Sequence, residues 1–63
     1  MNPVIVNFKN DSGYEIIVNF SNVLYVQPAY SGGYRIWFIN GHELQLSWQE
    51  HERFIKGLQT VLE

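Results

Sequence analysis

From Val4 to Leu46 the apolar residues fall mostly in short alternating runs, and beyond Ser47 they recur at helical spacing. That change of period predicts strands followed by one helix. The clearest strand pair flanks Asn40-Gly41, in Tyr34-Arg35-Ile36-Trp37-Phe38-Ile39 and His42-Glu43-Leu44-Gln45-Leu46. Asn-Gly is the strongest short-range hairpin signal, because both central residues of a two-residue type I′ turn need positive φ. Such a turn sets Ile39 opposite His42, Trp37 opposite Leu44 and Arg35 opposite Leu46 on one face, which is then the core face. The other face carries Tyr34, Ile36 and Phe38 on the first strand against Glu43, Gln45 and Ser47 on the second. The first strand is thus apolar on both sides, and a strand of that kind needs cover on both.

Earlier in the chain, residues 4–8 form a β-branched and aromatic run after Pro3, and Asn10-Asp11-Ser12-Gly13 supplies turn formers behind it. Residues 14–20 alternate, with Tyr14, Ile16, Val18 and Phe20 on one face. Ser21-Asn22 makes a tight connection, and residues 23–27 form a strand that Pro28 ends, because proline cannot donate to a ladder. Tyr30-Ser31-Gly32-Gly33 is a glycine-rich loop. At the other end, Ser47-Trp48-Gln49-Glu50 fits a capping box, so the helix starts there. Phe54, Ile55, Leu58, Val61 and Leu62 gather on one helical face, and Glu52 and Lys56 have the spacing of an i,i+4 ion pair. Gly57, unfavourable inside a helix by roughly 1 kcal/mol relative to alanine, borders that stripe and marks a close approach to a neighbouring backbone. The predicted class is α+β: a five-stranded antiparallel, strongly curled sheet (β-β-β-β-β-α) capped by one C-terminal helix.

Sixty-three residues allow one domain, residues 1–63, and at this size a single core barely offsets the entropy of ordering the chain. There is no cysteine and hence no disulfide, and two histidines without a thiol argue against structural zinc. Stability must come from an aromatic core, visible in ten Phe, Trp and Tyr residues, or from self-association. The net charge of -2, with Lys9, Arg35, Arg53 and Lys56 as the only cations, disfavours generic phosphate or nucleic-acid binding. No run is long and apolar enough to span a membrane, and Met1-Asn2-Pro3 does not open a signal peptide, so the expectation is a cytoplasmic protein without membrane association.

Catalytic templates each fail at a nameable place. His51-Glu52-Arg53-Phe54-Ile55 starts like the zinc-protease HExxH, but Ile55 stands where the second histidine belongs. Ser47 and His51 lie one helical turn apart, yet Ser47 is explained as a cap and the only aspartate, Asp11, sits in a turn. Glu50 and Glu52 point to different helix faces and suit the helix dipole better than an acid/base couple. Gly32-Gly33 opens no helix and so builds no phosphate loop. His42 reads as an exposed residue flanking a turn, and Tyr25, Tyr30, Tyr34 and Trp37 as core or interface rather than a base-stacking platform. No enzyme and no cofactor is expected.

The pattern Ile17-x-Asn19-x-x-x-Val23-x-x-Val26-x-Pro28, then Ile36-x-Phe38-x-Asn40-Gly41-x-x-Leu44-x-Leu46-Ser47 and a short helix, resembles two small bacterial families. One is the FlbD-like flagellar-operon proteins and the other is the central part of LytTR-type DNA-binding domains. The layout is also similar to that of the carbon-storage RNA-binding regulators, whose residue motifs are not shared. The LytTR resemblance implies a nucleic-acid-binding regulator, for which the contacts are Lys9, Arg35, Tyr25 and Tyr30. The residues themselves favour a small interaction or regulatory module that forms a homo-oligomer, most simply a dimer, or docks a protein partner. Its contact face is then the one bearing Tyr34, Ile36 and Phe38.

Overall fold

The computed structural model describes residues 2–30 and 32–63, so Met1 and the Ser31 position of the predicted loop lie outside the described residues. Five strands and one helix follow in order: β1 (Ile5–Lys9), β2 (Glu15–Asn19), a 3-10 turn (Phe20–Asn22), β3 (Val23–Pro28), β4 (Tyr34–Phe38), β5 (Glu43–Leu46) and α1 (Trp48–Leu62). The α+β class and the element order agree with the sequence. The single curled sheet does not. The strands form two antiparallel sheets, β1-β2 and β3-β4-β5. The break is local in origin: Asn19 Oδ1 accepts from Ser21 N–H and winds the chain into the 3-10 turn, which carries it off the edge of β2 before β3 begins.

The Asn40-Gly41 hairpin shows a second difference. Phe38 N–H donates to His42 O at 2.9 Å and Gly41 N–H to Phe38 O at 3.0 Å, so the loop holds three residues, Ile39, Asn40 and Gly41. Only Gly41 is left-handed, at φ 89°, while Asn40 keeps negative φ and accepts the His42 N–H on its side chain. One extra loop residue slips the register by one and exchanges the faces. Ile36 now pairs with Leu44 and Tyr34 with Leu46, while Arg35 pairs with Gln45 and Trp37 with Glu43. The physical gain is plain, since a two-residue turn buries Arg35 and exposes Ile36. With three residues the apolar sets of both strands share one face.

That face is the core. Val6, Phe8, Val18, Ile36, Leu46 and Phe54 are buried, with Val4, Ile16, Phe20, Val23, Phe38, Leu44, Ile55 and Leu58 packed around them. Helix α1 starts at the capping box read from the sequence, with Glu50 N–H on Ser47 Oγ and Ser47 N–H on Glu50 Oε1. Its 15 residues run about 22 Å against about 17 Å for a five-residue strand. Val61 and Leu62 therefore overrun the sheet and stay exposed instead of completing the predicted stripe. Among the described residues the ion pairs are Arg35–Glu43 and Arg53–Asp11, so the Glu52–Lys56 spacing forms none.

Gly57 is where α1 meets β1. A Cβ there falls 2.8 Å from Asn7 O and 3.1 Å from Val6 Cγ1, closer than real contacts allow. Alanine at an open helical site gains about 1 kcal/mol over glycine, but here the methyl pushes helix and strand apart at an overpacking cost of ~1–3 kcal/mol. Gly57→Ala should lower the melting temperature, and a rise on thermal denaturation would show that the helix does not lie this close to β1.

Candidate functional site

The turn between β1 and β2 is built by Asn10, whose Oδ1 accepts from Ser12 N–H and Tyr14 N–H, with Gly13 at φ 87°. This presents Asp11 to the helix N-terminus. Ser47 Oγ donates to Asp11 Oδ2 at 2.7 Å, Arg53 reaches Asp11 Oδ1 at 3.1 Å, and Asp11 N–H donates to Glu50 Oε2 at 2.9 Å. Arg53 also donates to Lys9 O at 3.1 Å, on the outer edge of β1. The Ser47 hydroxyl is thus used twice, as donor to Asp11 and as acceptor of the Glu50 amide. Serine and aspartate do meet across 36 positions, but as a clasp between turn and helix.

The histidine is turned elsewhere. His51 stacks on Tyr34 with ring centres 3.7 Å apart and planes 22° from parallel, and Trp48 meets the same tyrosine edge-on at 5.1 Å. Burial against this cluster lowers the His51 pKa below its ordinary 6.5. Beside it lies a trough of about 510 Å³ lined by Trp48, His51, Glu52, Ile55, Lys56 and Gln59 among others, all from α1. With every wall on one helix, the trough is an open flank where no groups from other elements converge.

The remaining organised surface is the outward face of β3-β4-β5. Tyr25 lies opposite Trp37 and Gln27 opposite Arg35 in the β3–β4 register, so all four side chains share the face away from the core. The Tyr25 and Trp37 rings stack with centres 6.3 Å apart and planes 24° from parallel. Arg35 Nε lies 3.1 Å from Glu43 Oε2, an ion pair whose geometry falls short of a hydrogen bond. Ile39 follows Trp37 by two and is exposed, as is Leu24 at the bulge between Val23 and Tyr25.

Of the contact face expected at Tyr34, Ile36 and Phe38, Ile36 is closed off and the other two are half-buried. Ile36 is fully buried, Phe38 packs against the core, and Tyr34 carries the His51 and Trp48 rings. The register slip moved that set inward and brought out Arg35 and Trp37. Among the residues named for nucleic acid, Arg35 and Tyr25 share the outward face and Tyr30 stands fully exposed in the β3–β4 loop. Lys9 sits apart on the other sheet, opposite Glu15. The sequence missed Gln27, Trp37 and Ile39 as members of an outward face. The loop length that decides it is not written in Asn-Gly alone.

No family model, curated protein or solved structure matches the chain. No described helix is long and apolar enough to cross a membrane.

Ser47→Ala removes the helix cap and the Asp11 contact together. It should cost about 1–2 kcal/mol by chemical denaturation, with Asp11→Ala costing less because the cap bond stays, and the double variant less than the sum of the two. Fully additive losses would mean that the clasp is not one unit. For His51, a depressed folded-state pKa means that the unfolded chain takes up the proton first as pH falls. The contribution is present above about pH 6.5 and is lost as the pH drops through the folded value. The melting temperature should fall between about pH 7.5 and about pH 5.5, and His51→Phe should flatten that dependence. An unchanged slope in the variant would place the titrating group elsewhere.

Proposed function

We propose that the chain is a small non-enzymatic interaction or regulatory module acting through self-association or protein–protein binding. The observation that carries this reading is the outward face of the three-stranded sheet, where Tyr25 stacks on Trp37, with exposed Leu24 next to Tyr25 in the chain and exposed Ile39 two positions beyond Trp37. Rigid aromatic rings flanked by aliphatic side chains and rimmed by a charge pair have the make-up of protein contact surfaces, where Tyr, Trp and Arg are enriched. The residues that a hydrolase needs are meanwhile committed to holding α1, Ser47 and Asp11 in the clasp and His51 in the Tyr34 stack.

The alternative, a nucleic-acid-binding regulator of LytTR or FlbD-like type, draws on the same face, because Arg35, Gln27 and Tyr25 lie together on it. Against it, Arg35 is matched by Glu43 and the chain carries net charge -2. Sedimentation equilibrium at micromolar concentration, with and without mixed DNA and RNA oligomers, separates the two. The module reading expects at least twice the 7.4 kDa chain mass, unchanged by oligomers. A 7.4 kDa species that gains mass with oligomers at low salt and loses it at high salt would establish the alternative.

A further inference from the structure

Two sheets have four edges, and they are unequally protected. The β1 edge is covered by α1, with Arg53 on Lys9 O and Gly57 against Asn7 O. On β3 the outer edge is broken by the bulge after Val23 and ends in Pro28, which has no N–H to offer. The fifth strand is four residues long and passes straight into the helix cap. Among the described residues β2 is the edge with no covering helix, bulge or proline along its five residues.

Its polarity follows from the bonds that close the hairpin. Asn10 N–H donates to Tyr14 O and Phe20 N–H to Val4 O, so even-numbered residues pair across β1 and β2. The N–H and C=O groups of Glu15 and Ile17 and the N–H of Asn19 therefore point away from β1, and they meet no partner among the described residues. Beside them runs a groove of about 330 Å³ along residues 16–19, whose far wall includes Phe38, Asn40 and His42. Ile17 stands 67% exposed at the middle of the edge.

We infer that this edge pairs antiparallel with the β2 edge of a second copy about a two-fold axis at Ile17, joining the hairpins into one sheet in the order β1-β2-β2-β1. The inference rests on the self-association reading above and names its surface. The strand is self-complementary in that register. Ile17 meets Ile17 of the second copy, and Glu15 at one end meets Asn19 at the other, so the outward-pointing residues bond in pairs without like charges opposed. Sliding the two-fold axis to Glu15 sets carboxylate against carboxylate. Moving it to Ile16 or Val18 leaves Ile17 opposite a polar residue and shortens the ladder.

The chain has no cysteine, so a single introduced thiol reports the register cleanly. In the dimer Ile17→Cys lies opposite itself, within disulfide reach, whereas Glu15→Cys is roughly 13 Å from its copy along the strand. Mild oxidation at micromolar concentration should cross-link Ile17→Cys nearly completely and Glu15→Cys hardly at all. Ile17→Lys places two ammonium groups opposite each other and should weaken the dimer by at least roughly tenfold in sedimentation equilibrium. Its far-UV circular dichroism should not change, because the side chain faces solvent. A dimer that survives Ile17→Lys, with no cross-link through Ile17→Cys, would overturn the β2 pairing and leave self-association standing. A wild-type chain of 7.4 kDa at that concentration would overturn both.

Discussion

The two sheets share no ladder hydrogen bonds, and they meet in the core at whose centre the Phe54 side chain is buried. Its ring meets Phe8 edge-on at 5.8 Å and Phe20 at 6.1 Å, and it is buried with Ile36 and Leu46 of the other sheet. A two-stranded hairpin is at best marginal alone in water, so β1-β2 depends on this contact for its order. The helix can deliver Phe54 to that point only because Gly57, one turn further on, lets its backbone lie on β1. Phe54 and Gly57 are thus two halves of one constraint.

The clasp at the helix N-terminus fixes the remaining freedom. Helix α1 could rotate about the Phe54 contact, but Asp11 ties its cap to the β1–β2 turn and Arg53 ties its second turn to the β1 edge. Each tie is largely exposed, and an isolated exposed ion pair contributes little. Their joint value lies in sharing partners: Ser47, Glu50 and Asp11 each make three of the bonds, so none can leave without orphaning another's partner.

Local rules made much of this readable. The capping box needs only four consecutive residues, and Gly57 is out of place in a helix unless something lies close, so both could be read and both hold in the structure. Strand positions and the α+β order follow from alternation. What escaped is non-local or turns on one torsion. Asn-Gly suits a two-residue turn with two left-handed residues and a three-residue loop with one, and the difference rests on whether Asn40 takes positive φ. That single torsion sets which face of β4 is inside, and so it turns Tyr34, Ile36 and Phe38 toward the core side, with Ile36 fully buried. The Asp11–Ser47 bond spans 36 positions and has no local signature, and the sheets part at the 3-10 turn that the Asn19 side chain caps.

The same register slip shapes the electrostatics of the surface. By turning Arg35 outward beside Glu43 it neutralises the one cation on the three-stranded sheet. On the other sheet Lys9 stands opposite Glu15 in register, and on the helix Arg53 is held by Asp11. Two of the four cations are thus held in ion pairs and a third stands opposite a carboxylate in register, so the organised faces carry charge that is compensated locally. Long-range attraction of a polyanion needs an uncompensated basic patch. Surfaces of compensated charge, stacked rings and unpaired backbone groups act only at contact, where shape and hydrogen-bond register decide which partner fits.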